Sequence, residues 1–343
     1  GSNQSAADFF FFFPDKLEYN NYTYRNKNLA FFAENIFRLS KKVALIPGVR
    51  YETILFKADG YYNTAGTLVL EKNLKSKRNF PLFGIGFEYK PNQLMNVYAN
   101  ATQGFRAVNF NDIRITSPNL VVDPDLKDSK GYNLDVGIKI KHKNYLSSEL
   151  TLFYLGYNDK IGLVPRRRPD NSIYLFSTNV ADAVNKGIEL FSEINLVKML
   201  NEKAKTDLFL FASYAYTHSV YVKSDNNYLN GKWVEYSPEH ILRSGTTFKW
   251  HNLSATLNGT FISKQFSDAA NTVTSVNGNT GVIPDYAVFD FTGSYTFSRF
   301  KIEGSINNFT GKKYFTRRAA AYPGPGIIPA DSRVFSISVQ FKM

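Results

Sequence analysis

The chain has no cysteine among its 343 residues, which excludes a disulfide framework, a thiol nucleophile and a thiolate metal site. Its four histidines, His142, His218, His240 and His251, show none of the spacings found in metal sites, so no metal site is predicted. No Ser/His/Asp arrangement, phosphate-binding loop or dinucleotide fingerprint occurs in the sequence either. The sequence therefore predicts a protein that is not an enzyme and carries no cofactor.

Long apolar runs are also missing. No segment approaches the roughly 20 consecutive apolar residues of a membrane-spanning helix, and the mean hydropathy is only -0.28. The phenylalanine run at residues 9–13 has neither the basic flank nor the cleavage site of a signal sequence. The sequence therefore excludes a helical membrane protein and predicts no signal peptide in this chain.

The formal net charge is +12, and the basic residues are scattered over predicted turns and loops. This scatter argues against nucleic-acid binding, which uses a basic helix or face. Solvated basic loops explain the charge, and so does an anion-attracting lumen or mouth. Aromatic residues make up 16% of the chain, with 22 Tyr and 30 Phe, which suits aromatic girdles at two membrane interfaces.

What the sequence does have is alternation of apolar and polar residues, the pattern typical of β-strands. At the C-terminus, Phe335, Ile337, Val339 and Phe341 alternate with serine, glutamine and lysine. In a soluble sandwich the apolar side of such a strand packs into a core. In an outer-membrane barrel the apolar side faces lipid and the polar side faces the lumen.

The alternation predicts thirteen strands, and many are long enough to cross a bilayer at a tilt, which takes about 9–11 residues. The predicted strands cover residues 27–39, 42–57, 79–90, 93–106, 129–141, 145–159, 184–197, 206–222, 238–250, 253–266, 285–297, 300–312 and 332–343.

The predicted connections alternate between two classes. Short basic turns lie at about 40–42, 91–93, 142–144, 198–205, 251–252 and 298–299. Long polar loops lie at about 58–78, 107–128, 160–183, 223–237, 267–284 and 313–331. Bacterial barrels have short periplasmic turns at one rim and long extracellular loops at the other. The predicted fold class is therefore an all-β, antiparallel transmembrane β-barrel in the bacterial outer membrane, with a periplasmic C-terminus.

An odd number of strands is unexpected for such a barrel. Single-chain bacterial barrels have even counts, and an open barrel would leave unpaired backbone groups in lipid. Either one more strand lies in residues 8–26, or the chain is the C-terminal part of a larger barrel. The poor alternation of residues 9–24 favours the second explanation.

Several segments resemble TonB-dependent receptors, in the order in which that family carries them. They are residues 28–35 with 45–52, 103–107, 123–127, 153–161, Asn179 with 185–189, 307–315 and 333–343. Residues 123–127, Asp-Pro-Asp-Leu-Lys, stand where the family usually has Asn-Pro-x-Leu-Lys-Pro-Glu. Here Asp128 and Ser129 replace the final Pro-Glu.

The resemblance implies a 22-stranded barrel with an N-terminal plug, of which about 13 strands are present, while the plug is absent from this chain. Residues 27–343 would be the C-terminal portion of the barrel, and residues 1–26 an extracellular loop or a non-native segment. The resemblance further implies import of a ferric chelate of the citrate or another siderophore type. The TonB–ExbB–ExbD complex would supply the energy through the plug.

Arginines dominate the ligand-binding candidates in the long loops. Guanidinium groups bind carboxylates in bidentate fashion, so Arg166, Arg167 and Arg168 are candidates for catching an anionic chelate. A solvated basic loop, or one bound to lipopolysaccharide phosphates, explains the same three residues.

The last long loop resembles the final loop of ferric citrate receptors. This resemblance implies ligand contacts for Arg317, Arg318 and Tyr322. Arg106 and Arg114 are lesser candidates.

Polar residues on the lumen side are expected to hydrogen-bond a plug. They are Glu189, Glu193, Asp290, Glu303 and Asn307. Outer-membrane lipid and lipopolysaccharide are further expected partners. Two other functions stay open: a passive 14-stranded pore, and an adhesin or partner-binding barrel.

Overall fold

The computed structural model describes residues 20–64, 67–113, 120–224, 227–274, 278, 280–319 and 326–342. Nearly all regular structure in these residues is β-strand. The strands are β1 (Asn20–Glu34), β2 (Phe37–Arg38), β3 (Val43–Thr64), β4 (Thr67–Tyr89), β5 (Met95–Arg106), β6 (Leu120–Val122), β7 (Ser129–His142), β8 (Leu146–Arg167), β9 (Ile173–Asn195), β10 (Thr206–Lys223), β11 (His240–Trp250), β12 (Leu253–Ile262), β13 (Gln265–Phe266), β14 (Val282–Ile283), β15 (Tyr286–Phe297), β16 (Phe300–Asn307), β17 (Phe315–Ala319), β18 (Gly326–Pro329) and β19 (Val334–Phe341). The helical elements are α1 (Phe110–Ile113), α2 (Leu196–Leu200) and a 3-10 turn (Asn227–Leu229).

Thirteen of these strands follow one another in a single antiparallel sheet. Its order is β1-β3-β4-β5-β7-β8-β9-β10-β11-β12-β15-β16-β19, and the short β2 and β6 pair with β3 and β9 beside this path. Each of the thirteen predicted strands overlaps one strand of the path, so the predicted strand number and the all-β antiparallel class are confirmed. Within the described residues β1 pairs only with β3 and β19 only with β16, which leaves the sheet with two edges.

In the middle of the sheet, apolar residues of neighbouring strands share one face. Val136 of β7 is opposite Leu152 of β8, which is opposite Ile188 of β9. These side chains are 46%, 48% and 40% exposed. Burying such a side chain fully is worth about 1.5–3 kcal/mol, so a soluble sandwich would cover them. An exposed apolar face is the lipid-facing surface of a membrane barrel.

The other face is polar, and hydrogen bonds cross it from strand to strand. Asn100 of β5 donates to Asp135 of β7 at 2.7 Å, and the Tyr98 hydroxyl donates to Glu149 of β8 at 2.7 Å. Tyr98 reaches across β7 because it lies over Gly137, where a Cβ would come within 2.5 Å of the tyrosine ring. This polar face lines the lumen.

Two of the predicted long loops are wrong, because strands continue through them. Residues 58–78 form the outer part of the β3–β4 hairpin, which stays paired up to Thr64 and Thr67. Residues 160–183 form the outer part of the β8–β9 hairpin, which stays paired up to Arg167 and Ile173. Both faces of a hairpin that rises above the membrane meet water, so the alternation that marks a strand is lost there.

The other long connections contain small elements. Residues 107–128 hold α1 and β6, and β6 pairs with β9 in parallel. Residues 267–284 and 313–331 contribute to two separate two-stranded sheets, β13–β14 and β17–β18. No helix in the described part of the chain is long and apolar enough to cross a membrane.

Differences at strand ends are smaller. The first strand begins at Asn20 instead of residue 27. The strand predicted for 184–197 ends at Asn195, where α2 begins. The Asn195 side chain accepts from the Lys198 N–H at 3.1 Å, so it caps this helix.

Candidate functional site

The end of the sheet that carries the long connections is called the loop rim. Three segments that resemble the receptor family meet there, although they are far apart in sequence. The Asn179 side-chain amide donates to the carbonyl of Lys127 at 2.9 Å and to the carbonyl of Asp159 at 2.7 Å. The Lys127 N–H donates back to the Asn179 Oδ1 at 2.8 Å. Asn179 therefore joins residues 123–127 to the β8–β9 hairpin.

A polar cleft of about 440 Å³ lies next to this joint, lined by four aspartates and two lysines among other residues. Asp123, one of the four, accepts from the Thr178 hydroxyl at 2.5 Å. That hydrogen bond, with the charges of Arg166 and Lys127, lowers the pKa of the Asp123 carboxyl below its usual value. In the residues that the structure describes, no three His, Cys, Asp or Glu side chains are placed to hold a metal ion.

The tip of the β8–β9 hairpin carries the arginine run. The Arg166 guanidinium lies 3.7 Å from the centre of the Phe176 ring, and that of Arg168 lies 4.8 Å from the Tyr174 ring. Arg166 is directly opposite Tyr174 in the hairpin register. Because side chains alternate along a strand, Arg167 lies on the opposite face. The structure thus separates Arg167 from Arg166 and its aromatic neighbours.

Arg168 is held within its own turn. Its N–H donates to the Ser172 carbonyl at 2.8 Å. Hydrogen bonds from the Ser172 side chain and backbone, with the charge of Arg168, lower the pKa of Asp170. The turn residues therefore fix the end of the hairpin.

The two arginines of the last long loop differ in their surroundings. The Arg318 guanidinium donates to the carbonyls of Gly278 at 2.7 Å and Val282 at 2.8 Å. The Tyr236 hydroxyl donates to the Arg318 carbonyl at 3.3 Å. Arg318 therefore connects three loops of the rim. Arg317, the next residue in β17, is exposed.

Arg106 lies in an ion pair at the inner side of the rim. Its guanidinium is 2.6 Å from the Asp112 carboxylate in α1. A second pair beside it joins Arg78 to Asp128 at 2.5 Å, and Asp128 also accepts from the Val108 N–H at 2.8 Å. Asp128 is the residue at which the sequence departs from the family pattern, and here it organises the start of the 107–128 connection.

A partly buried ion pair ties another loop to the barrel. The Lys160 ammonium is 2.5 Å from Glu235, and both side chains are 21% exposed. The Tyr221 hydroxyl, fully buried, donates to the other Glu235 oxygen. Burial raises the pKa of Glu235, but the Lys160 charge and these hydrogen bonds outweigh burial and lower it overall.

The predicted plug-facing residues lie on the polar face of the sheet. Asp290 accepts from the Asn308 N–H at 2.7 Å, and Glu303 pairs with Lys301 at 2.7 Å. The full predicted set is Glu189, Glu193, Asp290, Glu303 and Asn307. Their contact with a plug stays a prediction.

Not every predicted ligand residue can be placed. Arg114 and Tyr322 lie outside the described residues. The structure brings Arg166 and Arg168 together at one hairpin tip and places Arg317 on a different loop of the same rim. The Lys160–Glu235 pair could not be predicted from the sequence, because its members are 75 positions apart and no periodic pattern links them.

Residues 2–309 match the family described as TonB dependent receptor-like, beta-barrel. The chain therefore belongs to the TonB-dependent receptor family, whose barrels are outer-membrane transport receptors. The expected outer-membrane location is confirmed at this level.

Several solved structures resemble the chain in fold. The siderophore receptor PiuA from Acinetobacter baumannii is 18% identical to this chain, with a TM-score of 0.70. The match covers 93% of this chain and 44% of PiuA. The unliganded ferric citrate transporter FecA is 17% identical, with a TM-score of 0.69. The match covers 94% of this chain and 55% of FecA. The copper transporter OprC is 18% identical, with a TM-score of 0.72. The match covers 92% of this chain and 48% of OprC. The chain thus spans about half the length of these proteins.

Proposed function

We propose that residues 27–343 are the C-terminal barrel portion of an outer-membrane receptor that binds an anionic ferric chelate and imports it with energy from TonB. In this proposal the loop rim is extracellular and the C-terminus is periplasmic. A plug outside this segment fills the lumen, and residues 20–26 extend the first strand of the barrel on the extracellular side. Family membership supports the receptor class, whereas the ligand class rests on the side chains of the rim.

The observation that carries the ligand class is the pair of arginines stacked on aromatic rings at the β8–β9 tip. Arg166 on Phe176 and Arg168 on Tyr174 are cation–π contacts. A guanidinium fixed on a ring loses less side-chain entropy when an anion binds. Its planar fork of N–H donors also suits a carboxylate better than an ammonium does. An anionic chelate with carboxylate groups, such as ferric citrate, is the ligand that these residues favour.

Arg317 and Arg318 have different roles in this proposal. Arg318 already donates to two backbone carbonyls, so we assign it to holding the loops together. Arg317 is exposed on the neighbouring position of β17, and we assign it to the chelate. The structures of PiuA, FecA and OprC do not decide the ligand, because they are a siderophore receptor, a ferric citrate transporter and a copper transporter.

The test is uptake by cells that carry the native protein, with ferric citrate, a ferric catecholate and copper(II) as separate probes. We expect uptake of ferric citrate that disappears when TonB is deleted. Arg166→Ala should lower that uptake by about 10-fold, the loss of one charge-assisted hydrogen bond of roughly 1.5 kcal/mol. Arg167→Ala is the matched control, because it removes the same charge from the opposite face of the same hairpin.

Two other results would overturn the proposal. Uptake of all three probes without TonB would favour the passive 14-stranded pore. Absence of uptake, combined with tight binding of a protein partner by the loop rim, would favour an adhesin.

A further inference from the structure

Basic residues form two rows across the outer end of three neighbouring strands. Arg25 of β1 is opposite Lys57 of β3, and Lys57 is opposite Lys75 of β4. One step closer to the middle of the sheet, Lys27 and Lys77 flank Leu55 in the same way. Opposed residues on neighbouring strands point to the same face, with Cβ atoms about 4.5–5.5 Å apart. We call these five residues, Arg25, Lys27, Lys57, Lys75 and Lys77, the outer basic patch.

The patch lies on the outward-facing side of the wall, the side that faces lipid further down the same strands. Alternate positions further along the same strands hold Phe31, Tyr51 and Phe83, which are 66%, 47% and 56% exposed. The residues between them point into the lumen, where the Tyr24 ring stacks on Phe110 of α1 at 4.7 Å. The basic residues therefore continue the apolar outer surface towards the loop rim.

The patch also lies at the upper edge of the apolar belt. Along β4 the outer face is apolar from Tyr89 to Phe83, and the first charged residue on that face is Lys77. At roughly 3.3 Å per residue and a tilt of about 40°, Lys77 lies about 30 Å above Tyr89. An outer-membrane apolar band is about 25 Å tall. Lys77 and Lys75 are thus at the level of the lipid headgroups.

Few charges of the patch have a partner among the side chains that the structure describes. Lys57 pairs with Asp59 at 3.3 Å. The other four basic residues form no ion pair with any side chain that the structure describes, a set that leaves out the side chains of residues 62–74. Like charges opposite each other in a sheet are destabilising, so an external anion at this position would stabilise the protein.

We propose that the outer basic patch binds the phosphates of lipopolysaccharide in the outer leaflet. Charge complementarity and the height of the patch both fit a phosphorylated glycolipid whose acyl chains lie against the apolar belt below. Lysine is well suited to phosphate as a point charge. The proposal needs the loop rim to face the outer leaflet, but it does not depend on which chelate the receptor imports.

The test measures lipopolysaccharide bound to the native protein in detergent, by native mass spectrometry and by titration, without any chelate. The variant K27Q/K75Q/K77Q should bind on the order of 100-fold more weakly, at about 1 kcal/mol per basic residue near an anionic surface. K41Q/K42Q/K203Q is the matched control, because it removes the same charge from the short turns. K27R/K75R/K77R keeps the charge and should keep the binding, which shows that the positions tolerate substitution.

The lipid probes separate the sources of phosphate. Lipopolysaccharide with its lipid A phosphates removed should lose most of the affinity, and phosphatidylglycerol vesicles should compete poorly. Equal binding of phosphatidylglycerol would reduce the patch to a general anionic-lipid surface and overturn the proposal. Equal loss in the short-turn control would overturn it as well. If the native protein binds lipopolysaccharide but imports no ferric citrate, only the transport proposal is contradicted.

Discussion

Asn179 holds one residue, Lys127, at both its N–H and its carbonyl, across 52 positions of sequence. The two hydrogen bonds measure 2.8 and 2.9 Å, and a third at 2.7 Å extends from the same side chain to the Asp159 carbonyl. Asparagine is suited to this task, because its amide carries donors and an acceptor on one planar group.

Replacing Asn179 by alanine should release residues 123–127 from the β8–β9 hairpin. The two hydrogen bonds to Lys127, at about 1 kcal/mol each, are lost, so amide exchange in this segment should accelerate roughly 30-fold. Hydrogen-exchange mass spectrometry of peptides covering 123–130 measures the effect. Asn158→Ala, in the wall of the same cleft, is the control. Equal exchange in N179A and wild type would show that the joint carries no stability.

Alanine variants of Arg317 and Arg318 should differ, because Arg317 is assigned to chelate binding and Arg318 to holding the loops in place. R318A leaves the carbonyls of Gly278 and Val282 without their donors, so residues 267–284 should become sensitive to protease. R317A should leave the cleavage pattern unchanged and weaken ferric citrate binding. Limited proteolysis and chelate titration on both variants test this assignment. Cleavage of both variants at the same rate would remove the distinction.

The loop around Glu235 should loosen in acid. Because the folded-state pKa of Glu235 lies below its usual value of 4.5, the ion pair with Lys160 stabilises the loop fully above about pH 4.5. That stabilisation is lost as the pH falls through the lowered folded-state pKa. Amide exchange in 227–239, corrected for intrinsic rates, should therefore rise at low pH. Glu235→Gln should remove this pH dependence, and a dependence that persists in E235Q would assign it to another carboxyl.

Lys160→Met should be more damaging than E235Q, because it leaves the carboxylate half-buried without a cation. Removing one partner of a fully buried ion pair costs on the order of 3–5 kcal/mol. Because both side chains of this pair are 21% exposed, the expected loss of unfolding free energy is smaller than that. Urea unfolding in lipid vesicles measures the difference. The double variant K160M/E235Q should recover part of the loss, and no recovery would exclude coupling between the two residues.

Replacing Gly137 should destabilise the protein by displacing the Tyr98 ring. A Cβ at position 137 would come within 2.5 Å of the Tyr98 ring, so Gly137→Ala must displace that ring from Glu149. Such overpacking costs typically about 1–3 kcal/mol. Unfolding measurements should give a smaller penalty when Tyr98 is already alanine. An equal penalty in both backgrounds would locate the strain elsewhere.

The strands of the membrane belt could be predicted from sequence, because one face meets lipid and the other meets the lumen. That contrast makes Val136, Leu152 and Ile188 alternate with polar neighbours. The outer parts of the β3–β4 and β8–β9 hairpins could not be predicted, since water on both sides removes the contrast. Their pairing is imposed by the continuing register of the hairpin.

The candidate site was predictable in its residue types but not in its contacts. The sequence indicated Arg166 and Arg317 as ligand candidates, and their roles stay predictions. The binding of Arg318 to Gly278 and Val282 depends on backbone carbonyls, which no side-chain pattern reveals. The outer basic patch likewise appears only when the register places Arg25, Lys57 and Lys75 side by side.

The central claim is that arginines of the loop rim bind an anionic ferric chelate, and equilibrium binding tests it most directly. The native protein and the variant R166Q/R317Q are titrated with ferric citrate, and lipopolysaccharide binding serves as the check of folding. Loss of two charge-assisted hydrogen bonds, about 1.5 kcal/mol each, predicts binding weaker by on the order of 100-fold. Equal affinity of the two proteins for ferric citrate, or no measurable affinity of either, would contradict the account.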